Sequence, residues 1–155
     1  MDVLYKWEND TLQWHTGNTT APLSRYDLRQ YIATAPKNIY EHGFIKLIVE
    51  RKADNAKLGI VDLFDYDHQS SRAETGIYIA PEYRNCGYGT QAVELISQYA
   101  LKFLKLNQIY CNIPEGNSAS NILFSKCGYN KTAVIPQWIK GADGYLSVTL
   151  MQRFA

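Results

Sequence analysis

A chain of 155 residues, 46% apolar and 20% charged, suits one ordinary domain that buries about 70% of the surface its unfolded form exposes. With 16 basic against 15 acidic residues the net charge is +1, so no broad field draws it to nucleic acid or anionic membrane, and neither is an expected partner. No apolar run approaches a bilayer span, the opening MDVLYKWEND lacks a secretory pattern, and Cys86, Cys111 and Cys127 form no C-x-x-C; a cytoplasmic single domain over 1–155, without metal, is expected.

Ser24 with Asp27 three residues on reads as a capping box, opening a helix to about Thr34 that stops before Pro36. Residues 44–50 alternate and are rich in Ile, Leu and Val, as a strand should be. The turn-like Ala53-Asp54-Asn55 then leads to a second strand over 58–64, forming a hairpin. A polar loop over 65–71 precedes a third strand over 74–80. From 89 to 104, Ala92, Leu95, Ile96, Tyr99, Ala100 and Phe103 recur three or four apart and predict an amphipathic helix. A strand over 108–113 halts at Pro114, and a short helix over Ser118–Lys126 ends at Gly128, a natural left-handed cap. Strands near 129–138 and 145–152 close the chain. This order indicates an α/β (α+β) fold, a mixed sheet with helices on its faces.

The stretch from Gly76 to Thr90 carries the most chemistry: a strand, then Ala80-Pro81, then Arg84-Asn85-Cys86-Gly87-Tyr88-Gly89-Thr90 opening the long helix. Unpaired N–H groups and the dipole at a helix start attract an anion, glycines let phosphate oxygens approach the backbone, and Arg84 adds a charged donor. The plainer alternative is that Gly87 and Gly89 only shape a turn. A P-loop is excluded because Thr90-Gln91 follow Gly89 where Lys-Ser/Thr is needed. Gly87-x-Gly89-x-x-Ala92 meets the loose dinucleotide fingerprint, but six residues (81–86) separate it from the strand and no suitable acid follows.

Arg-x-x-Gly-x-Gly after a strand ending in Ala-Pro resembles the GNAT superfamily of acyl-CoA-dependent N-acetyltransferases. The nearest branch is that of the spermidine and ribosomal-protein alanine acetyltransferases. Arg72-Ala73-Glu74 before the strand and the run from Asn117 to Tyr129 (NSASNILFSKCGY) extend the resemblance over roughly residues 44–152. It implies a mostly antiparallel sheet of about seven strands with a central splayed parallel pair and helices on both faces. It also implies acetyl-CoA as co-substrate, with the pantetheine arm lying along Ile77, Tyr78 and Ile79. The pyrophosphate would rest on Arg84, Asn85, Cys86, Gly87, Tyr88, Gly89 and Thr90. Asn117, Ser120, Phe124 and Lys126 would flank the cofactor's other side, and the Ile79 N–H would polarise the thioester carbonyl.

Three departures from the family pattern stand out. Asn85 replaces a usual Gly, which left-handed backbone angles accept. Cys86 replaces a frequent Lys; it is either a thiol activated by the helix start or a small residue that fits the turn. Phe124 stands where the branch has a Tyr acid for the departing thiolate; a thiol pKa of about 8.5 makes that loss tolerable.

Glu74 is the candidate base for the acceptor amine, the alternative being a surface carboxylate paired with Arg72. The three histidines, His15, His42 and His68, share no metal-ligand spacing and read as loop residues, with His68 as a rim-base alternative. Tyr129 and Trp138 are candidate walls of an acceptor pocket. The expected activity is acetyl transfer to a primary amine, either a small molecule or polyamine or a protein N-terminus. Residues 23–40 hold only one acid, Asp27, against Arg25, Arg29 and Lys37, which disfavours a polyamine. The second hypothesis is a non-catalytic acyl-CoA sensor or interaction module. A homodimer or higher homo-oligomer is expected through two strand edges near the C-terminus.

Overall fold

Among the described residues of the computed structural model (1–10, 21–141 and 143–155), three helices precede the first strand: α1 (Asp2–Glu8), α2 (Arg25–Ala33) and α3 (Ile39–His42). The expected capping box opens α2, with the Asp27 N–H donating to Ser24 Oγ and the Ser24 N–H to the Asp27 carboxylate. Neither α1 nor α3 is anticipated by the sequence reading, because seven and four residues are too few to display a helical period. Asn9 ties the first two helices together: its Oδ1 accepts the Leu23 N–H at 2.9 Å and its Nδ2 donates to the Leu23 carbonyl at 3.1 Å.

Six strands follow: β1 (Ile45–Glu50), β2 (Lys57–Asp67), β3 (Arg72–Ile79), β4 (Gln108–Pro114), β5 (Asn130–Lys140) and β6 (Tyr145–Phe154). Their spatial order is β1-β2-β3-β4-β6-β5, antiparallel throughout except for the central β3–β4 pair. The expected mixed sheet is therefore present, with six described strands in place of about seven, since the described chain before Ile45 is helical. A bulge between Phe64 and Asp67 lets β2 continue through residues expected to be loop. The expectation of two exposed edges near the C-terminus is corrected: β6 is paired on both sides, and β5 alone is the outer strand there.

The long helix α4 (Tyr88–Gln98) follows β3, and α5 (Ser118–Lys126) has the predicted bounds. The predicted run to 104 changes character at Tyr99, where a π turn over Tyr99–Phe103 replaces the α pattern and stacks Tyr99 on Phe103. Odd-numbered strand residues (Val61, Leu63, Ala73, Ile109, Cys111 and Ile113) meet α4 and α5 in the main core. The opposite face carries Ile60 and Tyr78, covered by Leu4 and Trp7 of α1 and Leu28 of α2. The sheet thus separates a face that holds α4 from a face that holds α1 and α2.

Candidate functional site

Arg72, Ala73 and Glu74 pair with Gln108, Ile109 and Tyr110, and there the parallel ladder ends although both strands continue. The Ala80 N–H donates to the Leu58 carbonyl, so the even residues of β3 bond toward β2 and the odd ones face β4. The backbone groups of Ile77 and the N–H of Ile79 therefore point into the fork with no strand opposite them. They offer free backbone donors and an acceptor to an extended, amide-bearing chain. Tyr78 instead bonds toward β2, so of the three expected pairing residues two face the opening.

At the wide end of the fork lies the start of α4. Gly87 is its N-cap in the left-handed region (φ 81°), with no side-chain cap, so the N–H groups of the first turn point outward. Nothing lies within 4 Å of where a Cβ on Gly87 would stand, which keeps the approach open. Asn85 takes the left-handed angle expected of it (φ 60°). Arg84 Nε donates to the Ile79 carbonyl at 2.9 Å, tying the loop to the fork. The exposed Cys86 Sγ donates to the Arg84 carbonyl at 3.4 Å. Sequence reasoning missed Arg51 here: Asp54 grips its guanidinium at 2.8 and 2.6 Å, and its Nη1 donates to Tyr88 Oη at 3.1 Å.

On the far side, Asn117 caps α5 by accepting the Ser120 N–H at 3.1 Å, so its Oδ1 is already engaged. Lys126 is exposed at the end of that helix. Phe124 is 3% exposed and lies edge-on to Tyr129 at 4.9 Å, placed in the core behind the fork. The candidate role of Tyr129 as a pocket wall is corrected. It is 2% exposed, and its hydroxyl bridges Ser97 Oγ and Thr75 Oγ1, each at 3.1 Å. Trp138 sits on outer β5, with two strands between it and β3. His68 shares a hydrogen bond with Tyr66 Oη at 2.9 Å, and His15 lies outside the described residues.

Glu74 stands at the vertex. Its Oε1 accepts the Asn112 N–H at 3.2 Å, a donor that β3 would have satisfied had the ladder continued. Arg72 pairs with Asp67 at 3.1 Å, so the Arg72–Glu74 alternative is not what the side chains do. Burial pushes the Glu74 carboxyl above its ordinary range against the Asn112 hydrogen bonds, and the charges of Asp65 and Asp62 add to the rise. Asp62 is raised too, again by burial, with Lys46 opposing and Glu8 adding. Its Oδ1 lies 2.0 Å from where a Cβ on Gly76 would stand, so only glycine leaves room for that carboxylate. Asp65 accepts from Tyr110 Oη at 2.5 Å, and Lys46 pairs with Glu8 at 2.7 Å. Asp62, Asp65 and Asn112 escaped the sequence reading; a charged residue within Leu58-Gly59-Ile60-Val61-Asp62-Leu63 was the available signal, but its neighbours depend on register.

Two recesses open beside this region, one of about 350 Å³ lined by Trp7, Asp10, Tyr78 and Glu82, the other of about 400 Å³ lined by Tyr31, His42 and Phe44. Both lie outside the fork itself, which is a split between strands and not a closed cavity. No described helix is long and apolar enough to cross a membrane.

The family model described as an acetyltransferase (GNAT) domain matches residues 1–130. The spermidine N(1)-acetyltransferase of Escherichia coli (strain K12) is 31% identical over 94 residues, 61% of this chain and 50% of that protein. The uncharacterized N-acetyltransferase YoaA of Bacillus subtilis (strain 168) is 28% identical over 91 residues, 59% of this chain and 51% of that protein. The chain thus spans about half the length of the curated relatives it matches. The solved spermidine N-acetyltransferase of Vibrio cholerae, in complex with CoA and spermine, shares the fold at a TM-score of 0.80 and 21% identity, over 99% of this chain and 88% of that one. A dodecameric structure of the same enzyme gives 0.74 and 22%, over 86% and 77%. The family match begins with α1 and ends at the first residue of β5, well past half of the chain, and on that ground the chain belongs to the GNAT acetyltransferase domain family.

Proposed function

We propose that this chain is a single acyl-CoA-dependent N-acetyltransferase domain that moves an acetyl group from acetyl-CoA to a cationic primary amine. The observation that carries the reading is the fork. The unpaired backbone of Ile77 and the Ile79 N–H lead from the anion-receptive start of α4 to a buried carboxylate at Glu74. Acetyl-CoA supplies the activated thioester. Gly87, Tyr88, Gly89 and Thr90 present backbone N–H groups to its phosphates, with Arg84 adding charge. The Ile79 N–H points into the fork where it can stabilise negative charge developing on a carbonyl oxygen. The ammonium group sheds one proton to solvent before attack, and Glu74 takes the second proton that the nitrogen loses as the C–N bond forms and the C–S bond breaks. With Phe124 enclosed in the core, the thiolate leaves unassisted and gains its proton from water.

The acceptor reading also shifts. Asp27 is spent in its capping box, so the 23–40 segment offers no acid at all. The carboxylates instead stand along the sheet face, Asp62 and Glu74 foremost, with Glu8 and Asp65 nearby but engaged by Lys46 and Tyr110. They favour a polycationic amine, in keeping with the spermidine acetyltransferase relatives. The dodecameric relative and the exposed outer strand β5, with Trp138 61% exposed, support self-association.

The test is CoA release from acetyl-CoA with spermidine and with an alanine-initiated peptide, against a no-amine control. Acceleration by spermidine is the expected result. Tight acetyl-CoA binding without acceleration by any amine would overturn catalysis and leave a binding module.

A further inference from the structure

Asn112 Oδ1 is buried and has no hydrogen-bond partner among the described residues. Burying an amide oxygen unpaired is costly, and an apolar side chain would avoid the cost. Its surroundings fix which way the amide faces. The Asn112 backbone N–H donates to Glu74 Oε1 at 3.2 Å, and its side-chain amide lies near enough to the same carboxylate to oppose the rise of its pKa. A carboxylate only accepts, so the NH2 half must face Glu74 and the oxygen half must face away from it. Along β4, Ile109, Cys111 and Ile113 are buried against α4 and α5, so Asn112 projects from the other face. That is the face of Glu74, Gly76, Tyr78 and Asp62, opposite the helix whose start receives phosphate.

We infer that Asn112 Oδ1 accepts an N–H of the attacking amine and, with Glu74, forms a two-point acceptor that selects primary amines. The inference rests on the acetyltransferase reading above. A primary ammonium group first loses one proton to solvent, leaving a neutral amine with a lone pair and two N–H groups. One of these protons passes to the Glu74 carboxylate as the C–N bond forms and the C–S bond breaks, the thiolate taking its proton from water, and the other stays on the product amide, hydrogen-bonded to Asn112 Oδ1. The nitrogen is thereby held with its lone pair toward the fork. A neutral N-methylated amine has a single N–H, which must go to Glu74, so none is left for Asn112.

The experiment compares wild type with Asn112→Leu and Asn112→Asp, using spermidine and an N-methylated counterpart, and reads the amine and acetyl-CoA parameters separately. Asn112→Leu should lower kcat/KM for spermidine about 10- to 100-fold, the worth of one well-placed hydrogen bond, and should shrink the preference over the methylated amine. Its KM for acetyl-CoA should stay within about twofold, and its melting temperature should change little, since an unpaired buried acceptor is lost together with the amide donor beside Glu74. Asn112→Asp keeps an acceptor but sets a second negative charge beside Glu74, so its rate should reach half-maximum at higher pH. An unchanged amine preference in Asn112→Leu, or a loss confined to acetyl-CoA, overturns the inference while wild-type turnover upholds the parent reading. A wild type that no amine accelerates overturns both.

Discussion

Glu74→Gln separates chemistry from binding and from folding in one substitution. Glutamine keeps the volume and keeps a carbonyl oxygen that can accept the Asn112 N–H now bonded to Glu74 Oε1 at 3.2 Å. What it loses is the charge and the ability to take a proton. A positioned general base is worth about 10²- to 10⁴-fold in rate, or about 3–5 kcal/mol of barrier, so kcat should fall by that factor. CoA affinity, which the proposed function assigns to the backbone of the fork and the start of α4, should change less than about twofold. The effect on stability has a definite sign. Burial raises the folded-state pKa of Glu74, so the neutral form is the one the fold favours. That contribution is present below the ordinary glutamate range and is lost as pH rises through the raised value. A permanently neutral glutamine keeps it, so the variant should gain stability relative to wild type as pH increases. The assay pairs initial rates of CoA release between pH 5 and 9 with thermal melts over the same range. The wild-type rate should climb with pH through a midpoint above the usual carboxylate range, and that limb should vanish in the variant. A variant rate within about threefold of wild type would refute the assignment of the base, because no general-base role is that small.

Two other substitutions test the parts that flank Glu74. Arg84→Ala removes an exposed charged donor, and should weaken CoA binding about tenfold or more at low salt, less as salt screens the site, with the melting temperature nearly unchanged. Equilibrium titration at two ionic strengths checks this, and salt-independent, unchanged affinity would remove Arg84 from the phosphate site. Tyr129→Phe deletes the hydroxyl that bridges Ser97 on α4 to Thr75 on β3, both at 3.1 Å. Leaving those buried groups short of a partner should cost about 1–3 kcal/mol, or roughly 2–12 °C in Tm for a chain of this size. The loss should be flat between pH 6 and 9, because burial pushes the Tyr129 hydroxyl up to about 12. A pH-dependent loss, or none, would contradict the bridge.

Much of the architecture was legible in local chemistry. The Ser24–Asp27 box, the apolar stripe of α4, the α5 segment closed by Gly128, and strands punctuated by Pro81 and Pro114 are all consequences of neighbours within a few residues. The Arg84-to-Thr90 loop was legible for the same reason: glycine spacing and a helix start are near in sequence and near in space. Where the reading failed, the missing information was non-local. Tyr129 looks like a polar-tipped aromatic on a strand, free to line a pocket; Ser97, 32 residues earlier, and Thr75, 54 residues earlier, draw it into the core.

The fork shows the division most plainly. The sequence by itself determined that β3 would be followed by a glycine-containing loop and a helix start, and that Glu74 would precede them. Only the tertiary structure decided that the β3–β4 ladder stops at Glu74 and Tyr110, turning an ordinary strand carboxylate into the group at the vertex. It also decided that Asp62 would lie over Gly76 and that Asn112 would stand beside Glu74. Side-chain period along one strand says which face a residue takes, but register between strands 38 residues apart says what it meets there. Register is set by the packing of the whole sheet against α4 and α5 on one face and α1 and α2 on the other, which no window of the sequence contains.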